Sequence, residues 1–214
     1  MSARFLLAFV SCLSLAGTAA GDEIFSFVVD TSSIAGTAGS LDFNFNAGPL
    51  TSQSALADIL NFSSDGSLAG SPILTGDVLG ALPSTVTFDN GGAFNDYFDG
   101  FTFGSTLAFE VRLYGPAVNS PDGVSTSGSS FAFSMFSDAG GTMPVLTTDT
   151  TDGFAITLDV NLDGSVTPTL FSSQTTLVPA AVPEPASMLL LASALVAIAG
   201  AVRHKRAPRK IEET

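Results

Sequence analysis

The 214-residue sequence predicts an all-β domain, an antiparallel β-sandwich of jelly-roll or Greek-key type, held between two targeting segments. Three observations predict it. Apolar and polar residues alternate over many short stretches, the period of a half-buried strand. Asp-Gly and Asn-Gly pairs punctuate those stretches, and such pairs accept the positive φ that tight hairpin turns require. Outside the two ends, only one short stretch has helical spacing.

Taken in order, the chain opens on Arg4, an apolar run from Phe5 to Leu15 and the small residues Ala16-Gly17-Thr18-Ala19-Ala20. This is the pattern of a signal peptide over residues 1–20, a helix cleaved after Ala19 or Ala20. Cys12 leaves with it, so the exported domain has no thiol or disulfide chemistry.

The domain is expected over residues 21–176. Ile24–Val29, Leu41–Asn46, Thr85–Phe88, Phe101–Phe103, Leu107–Tyr114, Phe131–Phe136 and Phe154–Leu162 read as strands over a Phe-rich core. Turns are expected at Asp65-Gly66, Asn90-Gly91, Asp99-Gly100, Asp122-Gly123, Asp152-Gly153 and Asp163-Gly164. Gln53–Asn61 reads as a short helix, because Ala55, Leu56, Ile59 and Leu60 would share a face. Ser120–Ser130, rich in Ser, Gly, Pro and Asp, reads as a flexible loop. Residues 177–185 form the expected linker.

The chain then runs through Val182-Pro183-Glu184-Pro185 into an uncharged apolar stretch, Ala186–Val202, and a basic tail, residues 203–214. Seventeen helical residues span about 25 Å, short for a hydrocarbon core of about 30 Å, and Arg203 and Lys205 can snorkel to its edge. Arg203, Lys205 and Arg206 stand only on the C-terminal side, which places that end in the cytoplasm and the domain outside. Pro183 and Pro185 keep the preceding segment extended.

These residues resemble the PEP-CTERM sorting signal of Gram-negative bacteria that make exopolysaccharide. Val182-Pro183-Glu184-Pro185-Ala186-Ser187 matches its opening, Met188–Val202 its helix and Arg203–Arg206 its basic end; the chain differs in running on to Ile211-Glu212-Glu213-Thr214. The resemblance implies an exosortase-type membrane protease as partner, transient anchoring in the inner membrane, cleavage near Pro-Glu-Pro, and delivery to the cell surface or extracellular matrix. The body resembles a recurrent group of PEP-CTERM proteins through Leu41–Asn46, Thr75–Val78 and Asn95–Gly104, with no activity to carry over.

Charge and inventory narrow the function. Between Gly21 and Ala181 there is one basic residue, Arg112, against 17 acidic ones, a net charge of −16. Such a surface repels nucleic acid. His204 is the sole histidine and lies in the tail, and no lysine falls between Gly21 and Ala181. A Ser-His-Asp triad, a Cys-His pair, a histidine zinc site and a Walker-type loop are thereby excluded from the exported domain. A non-enzymatic surface or biofilm-matrix protein with a structural or weak glycan-binding role is the expected function; the alternative is a carboxylate-dependent polysaccharide hydrolase or lyase.

Three residue groups carry the remaining chemistry. Asp159, Asn161 and Asp163, followed by Gly164, have the spacing with which a calcium loop opens, calcium being the one cofactor the sequence suggests. A strand running into an Asp163-Gly164 hairpin explains the same residues without an ion, and Leu170 stands where a calcium loop would end in an acid. Asp89, Asn90, Asn95, Asp96 and Asp99 make a second oxygen-rich stretch, with Tyr97 or Phe98 available to stack on a sugar; an acidic loop over tucked aromatics is the plainer reading. Glu110 and Arg112, two apart on one strand face, suggest a surface ion pair.

Overall fold

The computed structural model describes residues 21–178. The signal peptide, the Pro-Glu-Pro segment, the apolar stretch 186–202 and the basic cluster lie outside them. Among the described residues no helix is long and apolar enough to cross a membrane.

The described residues form thirteen strands in two antiparallel sheets, with one four-residue α-helix among them, α1 (Pro116–Asn119). In chain order the strands are β1 (Glu23–Asp30), β2 (Ala38–Ala47), β3 (Leu56–Ser64), β4 (Ser67–Leu68), β5 (Ile73–Thr75), β6 (Val78–Gly80), β7 (Val86–Asp89), β8 (Asp96–Thr102), β9 (Thr106–Tyr114), β10 (Ser129–Phe136), β11 (Phe154–Val160), β12 (Val166–Leu170) and β13 (Thr175–Val178). One sheet has the order β13-β1-β9-β3-β7-β6. The other runs β12-β11-β10-β2-β8-β4, with β5 also on the free edge of β8. Successive strands repeatedly change sheet, and the C-terminal β13 returns to pair with β1, Leu177 opposite Phe27. Leu177 and Val178, expected in the linker, complete a strand instead.

The two sheets meet through phenylalanines. Phe109 of the six-stranded sheet lies edge-on to Phe43 and Phe133 of the other, at ring-centre distances of 5.3 and 5.0 Å. Phe27, Phe88 and Phe131 extend the contact, all essentially inaccessible to water. Offset and edge-to-face rings add roughly 0.5–1.5 kcal/mol per pair beyond their buried area. The alternation Leu41-Phe43-Phe45 inward and Asp42-Asn44-Asn46 outward is the expected period of two.

Two local expectations are overturned. Gln53–Asn61 is not helical: from Leu56 it is β3, between β9 and β7, with Ala55, Ala57 and Ile59 fully buried. Five apolar residues in nine fit either period, and pairing with two neighbours decides for the strand. Asp99-Gly100 is not a turn but the middle of β8, where Tyr97, Asp99 and Phe101 all face inward. Asp163-Gly164 does form the β11–β12 turn, with Gly164 at φ 84°. The segment Ser120–Ser130 ends in β10, and its Ser127 bridges to Ser52.

Candidate functional site

The outer faces of both sheets carry polar side chains, and each holds an aspartate withdrawn from water. On the six-stranded sheet, Asp58 of β3 stands directly between Arg112 of β9 and Thr87 of β7. The Arg112 guanidinium donates to Asp58 Oδ2 from Nη2 and from Nε at 3.2 Å, and the Thr87 hydroxyl donates to Oδ1 at 2.7 Å. Tyr114 reaches the same oxygen at 3.4 Å, and its ring lies 4.6 Å beneath the guanidinium. Asp58 is only 2% exposed. Hydrogen bonding to Asp58 holds Arg112 even more firmly protonated than usual. The expected Glu110–Arg112 pair does not form: Glu110 shares the face but accepts from Asn61 at 2.8 Å and Ser26 at 3.4 Å. Asp58 escaped the sequence reading because it fell in the supposed helix.

On the seven-stranded sheet, Asp42 of β2 lies opposite Ser134 of β10, and its neighbour Asn44 lies opposite Asp96 of β8. The diagonal sets the Asp42 and Asp96 carboxyls beside each other on this face, near enough for Asp96 to act on Asp42. Desolvation, and secondarily the Asp96 charge and hydrogen bond, push Asp42 up to about 8. Two adjacent carboxyls cannot both ionise cheaply, so one retains a proton or both need a cation. One oxygen of each, Asp42 Oδ1 and Asp96 Oδ1, is buried without a hydrogen-bond partner, as is Ser134 Oγ. Burial on an outer face comes from the segment between β10 and β11, which folds back so that a Cβ on Gly141 would stand 2.8 Å from the Phe98 ring.

Further along the same face, Asn44, Asn46, Ser130, Asp159 and Thr167 continue the polar surface. It opens there into a cleft of about 370 Å³ lined by Asn46, Ser130, Asp159, Asn161 and Leu162 among others.

The residues expected to hold calcium are engaged separately around that cleft. Asp159 accepts from Ser130 at 2.7 Å, Asn161 donates to Ser165 and Thr167, and Asp163 accepts from the Ser165 amide and hydroxyl. Those bonds to Ser165 hold Asp163 below its ordinary range.

The second oxygen-rich stretch divides. Asn90 and Asn95 turn inward and clamp loops: Asn90 bonds the Ala55 amide, the Gln53 carbonyl and Ser129, while Asn95 bonds the Asp77 amide and the Phe45 carbonyl. Tyr97 is wholly buried and its hydroxyl accepts from Leu82 N, so it offers no stacking surface. Asp99 lies beneath it, raised above its usual range chiefly by burial. Phe98 is half-buried against Gly141. Sequence spacing brought out only Asp96 of the outer-face pair. Asp42 was visible as the polar half of an alternating strand, with nothing to mark its partner two strand positions across.

The fold and its surfaces thus define an acidic two-sheet domain whose outer faces present carboxylates, amides and hydroxyls. Residues 181–206 match the family described as the PEP-CTERM protein-sorting motif, which marks an exosortase-targeted surface protein. No curated protein and no solved structure matches the chain.

Proposed function

We propose that the protein is a non-enzymatic component of the cell surface or exopolysaccharide matrix, released there by exosortase and retained through weak contacts with glycan. The observation that carries the reading is the polar row Asn44, Asn46, Ser130, Asp159 and Thr167 leading into the open cleft on the seven-stranded sheet. Amides, hydroxyls and a carboxylate spaced along one flat face can exchange hydrogen bonds with sugar hydroxyls. Without an aromatic platform in the cleft lining, affinity rests on hydrogen bonds that replace bonds to water, so it is low for each sugar and useful only over a long polymer.

The test is co-sedimentation of the full chain, purified in detergent, with exopolysaccharide from the producing cells. Asn46→Ala with Asp159→Ala should lower the bound fraction several-fold, while substitutions on the opposite sheet, such as Thr176→Ala, should leave it unchanged. Equal loss from both faces would end the glycan reading. Sorting is tested apart from it. Replacing Pro183 and Pro185 by Ala should leave uncleaved precursor in the membrane fraction, read by the mass of the C-terminal peptide.

The hydrolase or lyase reading comes second. Asp42 and Asp96 each have one oxygen sealed from solvent, whereas the two carboxyls of a glycosidase flank an accessible scissile bond at about 5–9.5 Å.

A further inference from the structure

We propose that Asp42, Asp96 and Ser134 form a calcium site on the outer face of the seven-stranded sheet, independent of any glycan contact. Three adjacent strands place these side chains on one face: β10 supplies Ser134 in direct register with Asp42 of β2, and β8 supplies Asp96 on the diagonal from Asp42. All three have a buried atom without a hydrogen-bond partner, and Ser134 is 1% exposed. Carboxylate oxygens only accept, so two of them buried side by side require something positive between them.

The protein cannot supply that charge from its own described side chains. Arg112 is their single Lys or Arg, and it is committed to Asp58 and Asp22 on the other sheet. A shared proton would satisfy the two carboxyls and leave the serine oxygen stranded. A cation uses all three. Calcium takes six to eight oxygens at about 2.3–2.6 Å, so two ligands across the ion stand about 5 Å apart, beyond hydrogen-bonding range. That is how Ser134 can face Asp42 without bonding to it. Among the described residues no three carboxylates, histidines or cysteines converge, so water and neighbouring carbonyls must complete the shell. The site differs from Asp159-Asn161-Asp163, where each residue already makes a hydrogen bond to a neighbouring Ser or Thr and none is enclosed without a partner.

The experiment is calorimetric titration of the metal-stripped full chain in detergent with CaCl₂, followed by thermal unfolding with and without the ion. One saturable site and a raised Tm are expected for the wild-type chain, with a smaller Tm shift from MgCl₂. Asp42→Asn and Asp96→Asn should abolish the site yet fold, because an amide can donate to the remaining carboxylate. Ser134→Ala should weaken binding roughly tenfold, and Asp163→Asn should leave it unchanged. Calcium that binds without saturation, that survives Asp42→Asn, or that is lost in Asp163→Asn would overturn the proposal.

Discussion

Asp58 and Asp42 occupy comparable places, each mid-strand on the outer face of a sheet, and they are neutralised in opposite ways. Asp58 has a guanidinium, a threonine hydroxyl and a tyrosine around it. Asp42 has another aspartate and a serine that does not reach it. The difference follows from a domain with one cation and many acids. The single arginine is spent on the six-stranded sheet, where a buried carboxylate would otherwise cost several kcal/mol. The seven-stranded sheet must therefore take its positive charge from solution, as a proton or an ion. One face is self-contained and the other responds to its surroundings.

The largest expected effect breaks the self-contained side. Arg112→Met should destabilise the domain by roughly 2–3 kcal/mol in urea unfolding, less than for a fully enclosed pair because the guanidinium is about one-third exposed. A cost below 0.5 kcal/mol would mean that Asp58 finds other compensation.

The second prediction concerns the responsive side in chelator. Asp42 is held neutral to about 8 in the folded state against an ordinary 3.8. Between those values the folded chain binds more protons than the unfolded one, so this group lowers stability as pH rises through the window. Asp42→Asn should remove that slope and gain about 1–2 kcal/mol over wild type at pH 8. A wild-type and variant pair with parallel pH profiles would show that Asp42 titrates normally.

Smaller effects sharpen the contrast between hydroxyls. Thr87→Val should cost about 1 kcal/mol by removing a donor to Asp58. Ser134→Ala in chelator should change stability by less than about 0.5 kcal/mol, since its oxygen has no partner to lose. Denaturation midpoints of the two variants, measured side by side, give the comparison directly.

Alternation made β2, β7, β9, β10 and β11 legible in the sequence, and an apolar, β-branched run did so for β1; β2, β7 and β9 bury one face more than the other, whereas β10 and β11 are buried on nearly both. The short edge strands β4, β5 and β6 were not legible: two or three residues cannot display a period, and backbone pairing with β8 or β7 alone defines them. β3 was misread as helix because Ala55, Leu56, Ile59 and Leu60 also satisfy helical spacing. Asp99-Gly100 was misread as a turn because local φ preference is weaker than the burial of Tyr97 and Phe101 on either side. Of the candidate sites, the Asp163-Gly164 turn could be read from two adjacent residues. The Asp42–Asp96 pair joins residues 54 positions apart in the chain.

By itself the sequence determined the all-β class, the excess of acid, the missing histidine, lysine and thiol in the exported domain, and the sorting tail. These follow from composition, short-range periodicity and contiguous motifs, which need no knowledge of what lies across a sheet. Only the tertiary structure decided which carboxylate received the one arginine and which was left facing another acid. Strand register made that choice, by bringing side chains together across gaps in the chain that no local pattern encodes.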